Sequence, residues 1–548
     1  MAMGKQRRLG KYFGVNCDRE DMMSFLNRKS QTITSAALVL GVASLTARLL
    51  GVVRDRVLAG TFGASRELDI YYASFKIPDL LYDLVILGAL SAAFIPLLSE
   101  ARTKNLEQKF ASNIINIGGL ALIFISGLIF VFAAPLMNLI AAGFSSEERF
   151  VASEMTRILS LSPILLGLSS MYASILQVHG RFLAFSLSPI VYNGGIILGA
   201  LFLVPVFGIY GVALGVVGGA LAHFLVPFIA SLSLGFRWKL VFNFYDTFLR
   251  RLLIIGIPRF FASAASQINL VIVTAIATTL PSGSLSVFNF ANNLQSFPLG
   301  VIGISLATAA FPTFTSLAVN NQKNEFLAKV VATLRQIIFF LTPAATLLLV
   351  LRAQIVRVVL GTGRFDWEDT RLTYGALSVF ALSLVAQALV PLLNRAFYAL
   401  KNSWVPFASF CLAVLVNIVL SFTLAPTLGV IGLAWAFSCA SFLNFTILAI
   451  VFEIKGGTLL GRKELLFFVS VMLASILMVL TVQGMKYVMA PFVDMHTGIG
   501  VFLHGLTAGI SGIVVYLGFA YWFKVKEVKL ITQLFQGLTK GGDGQYGV

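Results

Sequence analysis

Charge is scarce in this chain: Asp, Glu, Lys and Arg make up 11% of its 548 residues, against 58% hydrophobic residues and a mean hydropathy of +0.90. An ordinary soluble domain carries about a quarter charged residues, so a soluble globule is excluded. Cysteine is nearly absent. Cys17, Cys411 and Cys439 show neither metal-ligand spacing nor a pairing framework, and the four histidines are scattered. Zinc and soluble redox chemistry are therefore not expected, and neither is a catalytic residue or a bound metal. No stretch between hydrophobic runs is long enough for a folded extramembrane domain. The net charge of +17 does not indicate nucleic acid, because the basic residues sit between hydrophobic runs rather than on a soluble face.

What remains is hydrophobic length. Apolar segments of ~20 residues or more recur throughout, about fourteen in all, so the chain is expected to be an all-α polytopic membrane protein. The expected spans are 32–58, 69–98, 110–142, 151–176, 183–205, 208–234, 250–280, 284–318, 326–350, 371–399, 404–425, 429–453, 465–490 and 498–523. Residues 1–31 are polar and basic without an apolar core. They read as a cytoplasmic tail rather than a signal peptide, with Met22 and Met23 as alternative starts. Basic residues return after the second, sixth, eighth and twelfth spans and in the tail after the last, whereas the loops after the fifth, seventh and eleventh carry none. Both termini are therefore expected in the cytoplasm.

The two halves resemble each other. SAAFIPLLSE at 91–100 recurs as TAAFPTFTSL at 308–317, and YNGGIILGALFLVPVFGIYGVALG at 192–215 as VNIVLSFTLAPTLGVIGLAWA at 416–436. Each copy of the second motif has an Asn, a Pro-containing hairpin and Gly-x-x-Gly opening the next span. The offset of roughly 217–224 residues covers six helices, so the copies share one orientation and form a parallel repeat. The expected organisation is a tail at 1–31, a first lobe at 32–240, a second at 241–455, a final helix pair at 456–525 and a C-terminal tail at 526–548.

Charge nevertheless enters the first two spans: Arg48, Arg54 and Asp55 in the first, and Asp69, Lys76, Asp79 and Asp83 in the second. A charged side chain at the bilayer centre costs about 2.5–3.5 kcal/mol on insertion scales, so these must pair or face water. Asp69, Lys76 and Asp83 follow one another at seven-residue intervals and are expected to form one stripe along a helix bent at Pro78. Arg54 or Arg56 is expected to pair with Asp69, leaving Arg48 for a ligand; a purely structural ladder is the bland alternative. The second lobe has amides instead: Asn289, Asn292, Asn293 and Gln295 in its second span, and Gln267 and Asn269 in the first, which also holds Arg259. Amides suit sugar or peptide groups, which need donors and acceptors together, but they serve equally as glue between helices. Arg395 reads as a cavity or interface residue, His179 and His223 as structural. GTGRFD lacks the residues of a phosphate loop.

The motifs SLTARLLGVVRDRVLAGTFGAS, FKIPDLL, AAFIPLLSE, FPLGVIGISLATAAFP, LGTGRFD and NRAFYALKNSWVP resemble the MurJ (MviN) family of lipid II flippases, in the multidrug/oligosaccharidyl-lipid/polysaccharide exporter superfamily. The resemblance runs over about residues 30–525. It implies a V-shaped bundle that moves undecaprenyl-pyrophosphate-linked disaccharide pentapeptide, lipid II, from the inner to the outer leaflet of the bacterial cytoplasmic membrane. It also implies that the last two spans form a groove for the lipid tail. Arg48, Arg54, Asp55 and Asp69 resemble charged positions of the family's first two helices. Tyr82 and Asp83 stand where relatives commonly have a basic pair, and Asn293 where they commonly have an arginine. Lys76 and Arg259 are the expected replacements for that positive charge. Arg48, Arg54, Asp55, Asp69, Lys76, Asp83, Arg259, Asn292 and Asn293 thus form the candidate substrate-binding set.

The expected function is a lipid II flippase working by alternating access, a monomer among membrane lipids, with no cofactor. Coupling is expected to the membrane potential or to a monovalent cation. The alternatives are an exporter of another polyprenyl-linked glycan or of a cationic drug. A membrane-embedded transferase would rest on Asp366, Glu368 and Asp369, which have no partner base.

Overall fold

The computed structural model describes residues 33–84, 91–459 and 461–530, without the side chains at 33–39, 91–92, 258–259, 261–263, 265 and 456. The expected N-terminal tail and most of the expected C-terminal tail lie outside the described residues.

Long apolar sequences with no water to satisfy their backbone can only close hydrogen bonds internally, which is why helix follows helix along the chain. The first two helices are α1 (Ile33–Phe62) and α2 (Arg66–Tyr82). Then come α3 (Ser91–Thr103), α4 (Glu107–Val131), α5 (Ala133–Ile140), α6 (Ser146–Leu159) and α7 (Ser162–Val178). Next are α8 (Phe182–Leu198), α9 (Val204–Phe207), α10 (Tyr210–Ser233) and α11 (Thr247–Thr278). The second half holds α12 (Ser284–Pro298), α13 (Ser305–Val319), α14 (Lys323–Val350), α15 (Arg352–Leu360), α16 (Trp367–Ala399), α17 (Trp404–Leu428) and α18 (Val430–Gly456). The last two are α19 (Arg462–Met489) and α20 (Gly498–Trp522).

Among the described residues, 11 helical stretches are long and apolar enough to cross a membrane. They coincide with the third to sixth and the eighth to fourteenth expected spans. The first, second and seventh expected spans are helical in α1, in α2 with α3, and in α11, but fall outside that set.

Two helical stretches widen locally into π turns. Gly199–Leu203 joins α8 to α9, with Val204 N–H bonding back to Gly199 O, and Leu299–Ile304 joins α12 to α13. Pro205 and Pro298 lie beside these turns. A proline removes an N–H from the helical ladder, and a wider turn is one way to reseat the carbonyls it frees.

The repeat is visible in the hairpins. Gly208 and Gly429, 221 positions apart, end their helices in the same backbone conformation, φ 58° and ψ −144° against φ 60° and ψ −141°. Only glycine enters that region without strain. Three residues on, a Cβ at Gly211 would strike the backbone of Leu203 and Val204, and one at Gly432 that of Leu424 and Ala425, again 221 positions apart.

The chain divides into two units. The first holds residues up to Arg54, Ser74–Leu136 and Phe150–Gln267; the second holds Asp55–Ala73, Met137–Arg149 and the chain from Ile268 onward. The divisions fall inside α1, α2, α5, α6 and α11, so each of these five helices contributes to both units. The first unit's core is aromatic and aliphatic, with Phe94, Phe110, Tyr172, Phe236 and Phe248 buried together. In the second, Phe288, Phe380 and Phe437 stack edge-to-face, and Tyr516 of α20 bonds the Phe339 carbonyl of α14 at 2.8 Å.

Candidate functional site

The second unit contains the firmest polar anchor. Asp69, fully buried, accepts from Gly283 N–H at 2.7 Å, Ser286 N–H at 2.8 Å and Ser286 Oγ at 2.7 Å. A carboxylate at the N-terminus of α12 meets the unpaired N–H groups and the positive end of the helix dipole, which is its favoured position. Arg66, one turn earlier on α2, pairs with Asp69 at 3.8 Å and with Glu148 at 3.6 Å, donates to the carbonyls of Thr278 and Leu280, and lies over the Phe144 ring. The expected pairing of Asp69 with Arg54 or Arg56 is thus corrected. The partner arginine is Arg66, because an i,i+3 neighbour on the same helix is already in reach. Arg56 instead donates to the carbonyls of Val358 and Val359.

A second carboxylate repeats the device. Asp369 accepts from Ala64 N–H at 2.9 Å, just ahead of α2, while Asp366 and Asp369 form a capping box at the start of α16. Glu368 pairs with Arg371 at 2.7 Å. The three carboxylates on which a transferase reading would depend are therefore occupied as caps or in an ion pair.

The first unit gathers charge. Arg54 donates to Asn193 Oδ1 at 3.2 Å, joining α1 to α8. On α2, Lys76 lies in the field of Asp79 and Asp83, and Asp83 accepts from the Gln267 amide of α11. Tyr82 Oη approaches Ser170 Oγ at 3.5 Å. Arg48 is exposed on α1 beside exposed Leu45 and Leu49. His223 is held by Ser169 Oγ at 2.7 Å, and His179 by the Ile175 carbonyl at 3.0 Å.

The second unit also holds Asp55, which is buried and accepts from Asn293 at 2.9 Å, and a relay of neutral groups. Asn292 accepts from Gln295 at 3.0 Å, and Gln295 from Gln387 at 3.0 Å. Gln387 also donates to Ser383, which bonds Ser438. Beside this relay lies a cavity of about 210 Å³ whose polar lining is Asn269, Gln387, Asn417, Ser441 and Asn444. Asn417 donates to Asn269 Oδ1 at 2.9 Å.

The structure therefore separates the predicted stripe. Asp69 is committed to the second unit, whereas Lys76 and Asp83 belong to the first. Asp55 and Asn293 come together, as do Asn292 and Gln295. Arg259 lies on α11, but its side chain is outside the described residues. Gln387 and Asn444 went unrecognised in the sequence; each is an amide inside an apolar span, which is the signal that would have found them. Among the described residues, no group of three or more His, Cys, Asp or Glu side chains could hold a metal ion.

Membrane-length helices, with charge carried inside α1 and α2 and a relay of amides on α12 and α16, define a transporter-like helical bundle. The fold is that of exporters: an inward-facing multidrug MATE transporter of the MOP superfamily superposes with a TM-score of 0.61 at 14% identity, over 75% of this chain and 94% of its own. A solved structure described as lipid II flippase MurJ in an inward closed conformation superposes with a TM-score of 0.74 at 26% identity, covering 89% of this chain and 99% of that one. Curated relatives include the probable lipid II flippase MurJ of Borreliella burgdorferi, 29% identical over 79% of this chain and 86% of that protein. Another is that of Thermotoga maritima, 30% identical over 75% of this chain and 84% of that protein. The model of the family "Lipid II flippase MurJ" matches residues 58–502. The chain belongs to the MurJ family. It is accordingly a multi-pass protein of the inner membrane and a transporter rather than an enzyme.

Proposed function

We propose that the chain carries lipid II from the inner to the outer leaflet by alternating access, with Arg48, Arg54 and Lys76 meeting the pyrophosphate. The observation that carries this reading is a charged cluster inside the membrane-spanning helices of the first unit. Arg54 is steadied by Asn193, and Lys76 stands among Asp79 and Asp83. Such groups are retained within a bilayer when they line a wet path for a polar cargo. Arginine suits the task because its planar fork bonds two phosphate oxygens at once. The amide-lined cavity of the second unit suits the sugar and peptide parts, which offer donors and acceptors together.

The protein acts as a monomer without a resident cofactor, with fourteen spans, both termini in the cytoplasm, and the α19–α20 pair receiving the lipid tail. With the Asp69 oxygens bonded to α12, coupling to a monovalent cation falls to Asp79 or Asp83, and otherwise to the membrane potential acting on the charged cluster. Arg259 supplies positive charge in place of the arginine expected at Asn293. Export of a cationic drug is the weaker reading, since the multidrug exporters share the fold alone. The deciding experiment is complementation of a strain depleted of its own flippase, scored by labelling of lipid II at the outer surface. Rescue by this chain, and its loss on Arg54→Ala with the protein still in the membrane, is the expected result. No outward labelling despite normal membrane levels would overturn the substrate assignment.

A further inference from the structure

The segment between α10 and α11 reads FRWKLVFNFYD over residues 236–246 and is not helical at 236–243. Its side chains alternate with a period of two. Trp238, Leu240, Phe242 and Phe244 occupy one set of positions, and Arg237, Lys239, Val241, Asn243 and Tyr245 the other. In extended chain, alternate side chains point to opposite faces, so residues 237–243 read as an amphipathic extended segment that ends in a turn at 244–245. Its apolar set is bare: Trp238 is 49% exposed, Leu240 71%, Phe242 49% and Phe244 62%. In a soluble protein such a row would be an aggregation hazard.

The segment is not loose. A polar column on α4, Ser112, Asn113 and Asn116, runs along one of its edges. Asn113 exchanges two bonds with Asn243, accepting from its N–H at 2.7 Å and donating to its carbonyl at 2.9 Å, as a neighbouring β-strand would. Asn116 donates to the carbonyls of Lys239 and Val241, both at 2.9 Å, and Lys239 N–H donates to Ser112 Oγ at 3.1 Å. The Trp238 indole N–H is satisfied by Asn116 Oδ1 at 2.7 Å. Three buried polar side chains in the body of a membrane helix thus serve to neutralise the backbone of a neighbouring segment and the one polar atom of its tryptophan. That provision matters only where water is scarce, since a backbone group left unpaired in an apolar phase is costly.

We propose that residues 237–245 form a membrane-interface strap that lies in the headgroup layer against anionic phospholipids. Trp238, Leu240, Phe242 and Phe244 enter the acyl boundary, and Arg237 and Lys239 face the phosphates. Two features select this occupant. The strap joins two membrane-embedded helices, so it starts and ends at the bilayer surface. Its aromatic and basic composition is that of interfacial segments, and the basic charge complements anionic headgroups. Arg250 and Arg251, one turn into α11, add to the same patch; Arg251 is held at 2.8 Å from Glu100.

The test uses the full chain with Trp367, Trp404, Trp435 and Trp522 replaced by Phe, reconstituted in phosphatidylcholine vesicles with or without phosphatidylglycerol. The strap predicts that Trp238 emission is quenched by lipids brominated near the carbonyl end of the chain and only weakly by aqueous iodide. Each basic residue near an anionic surface contributes about fivefold to partitioning, so phosphatidylglycerol should deepen the bromolipid quenching, and Arg237→Gln with Lys239→Gln should remove that increment. Free access to iodide without bromolipid quenching would overturn the proposal, as would shielding from both, which would mean that protein covers the strap. Should the four-Phe variant fail to fold, Leu240→Cys with Cys17, Cys411 and Cys439 replaced by Ser gives the same answer. A membrane-partitioning maleimide should then label it several-fold faster than a charged one, and the reverse order would overturn the proposal. Neither readout depends on transport.

Discussion

Asp69 of α2 caps the first turn of α12 through Ser286, with Oδ1 accepting both the backbone N–H at 2.8 Å and the hydroxyl at 2.7 Å. The two residues are 217 positions apart, which is the spacing of the repeat: each occupies the early part of the second long helix in its own half. One half thus uses its acidic residue to close the helix end of the other.

Replacing Asp69 by Ala should therefore act first on stability. Three hydrogen bonds to a carboxylate are lost and two helix N–H groups are left without acceptors in a buried site, each costing about 1–3 kcal/mol. Asp69→Asn keeps an oxygen for one or two of these bonds and should fall between wild type and Asp69→Ala. Thermal unfolding in detergent, followed by circular dichroism, checks the order. Equal stability of all three proteins would show that the cap is energetically idle.

Much of this architecture can be read without coordinates. Hydrophobic length located the 11 spans found among the described residues, and the recurrence of Pro and Gly gave the repeat that the matching backbone at Gly208 and Gly429 displays. Charges inside α1 and α2 singled those helices out as candidates for the site. Partners were not legible. Asp69 is bound by residues more than two hundred positions away, and helical periodicity orders side chains only along one helix. The seven-residue spacing of Asp69, Lys76 and Asp83 said nothing of which helix each would meet, and Asp83 lies just past the end of α2. Asn292 and Gln295 were visible individually, whereas the relay from Asn292 through Gln295 to Gln387 needs two spans brought together.

The Arg54–Asn193 and Asn269–Asn417 pairs occupy matching helices of the two halves, α1 with α8 and α11 with α17. In the first half the pair is charged; in the second it is neutral. If Asn193 serves to aim Arg54, Asn193→Leu should reduce outward labelling of lipid II about tenfold with little change in membrane level, since misplacement of a single group by an ångström is enough for losses of that order. Asn417→Leu should instead lower thermal stability, because it removes a buried amide and leaves the half-buried Asn269 without this partner. Identical effects of the two replacements would remove the distinction between a steering pair and a structural one.

Lys76 lies in the field of two acidic groups, Asp79 and Asp83, with Gln267 donating to Asp83. Lys76→Gln leaves two carboxylates with no cation inside a membrane helix, an arrangement costing more than the lysine's own loss. Transport should fall at least tenfold, and Lys76→Gln with Asp79→Asn should recover part of it by removing one of the stranded charges. A double variant no better than Lys76→Gln would mean that the lysine acts on the cargo directly rather than on its neighbours.

A buried ion pair ties the end of the described chain to α14. Arg335 of α14 donates to Glu527 through Nε at 2.7 Å and through its Nη2 at 3.2 Å, and its guanidinium lies 4.3 Å from the centre of the Phe467 ring on α19. Both side chains are largely buried, 16% and 9% exposed. Removing one partner of such a pair strands the other, so Glu527→Ala should cost about 3–5 kcal/mol where water is excluded and less in proportion to the access that remains. Arg335→Met with Glu527→Leu removes both charges and should be markedly milder than Glu527→Ala alone. Thermal unfolding of the three variants measures the difference. Limited proteolysis after Lys526 and Lys529 should be accelerated in Glu527→Ala, and an unchanged cleavage rate would show that other contacts hold this segment to α14 and α19.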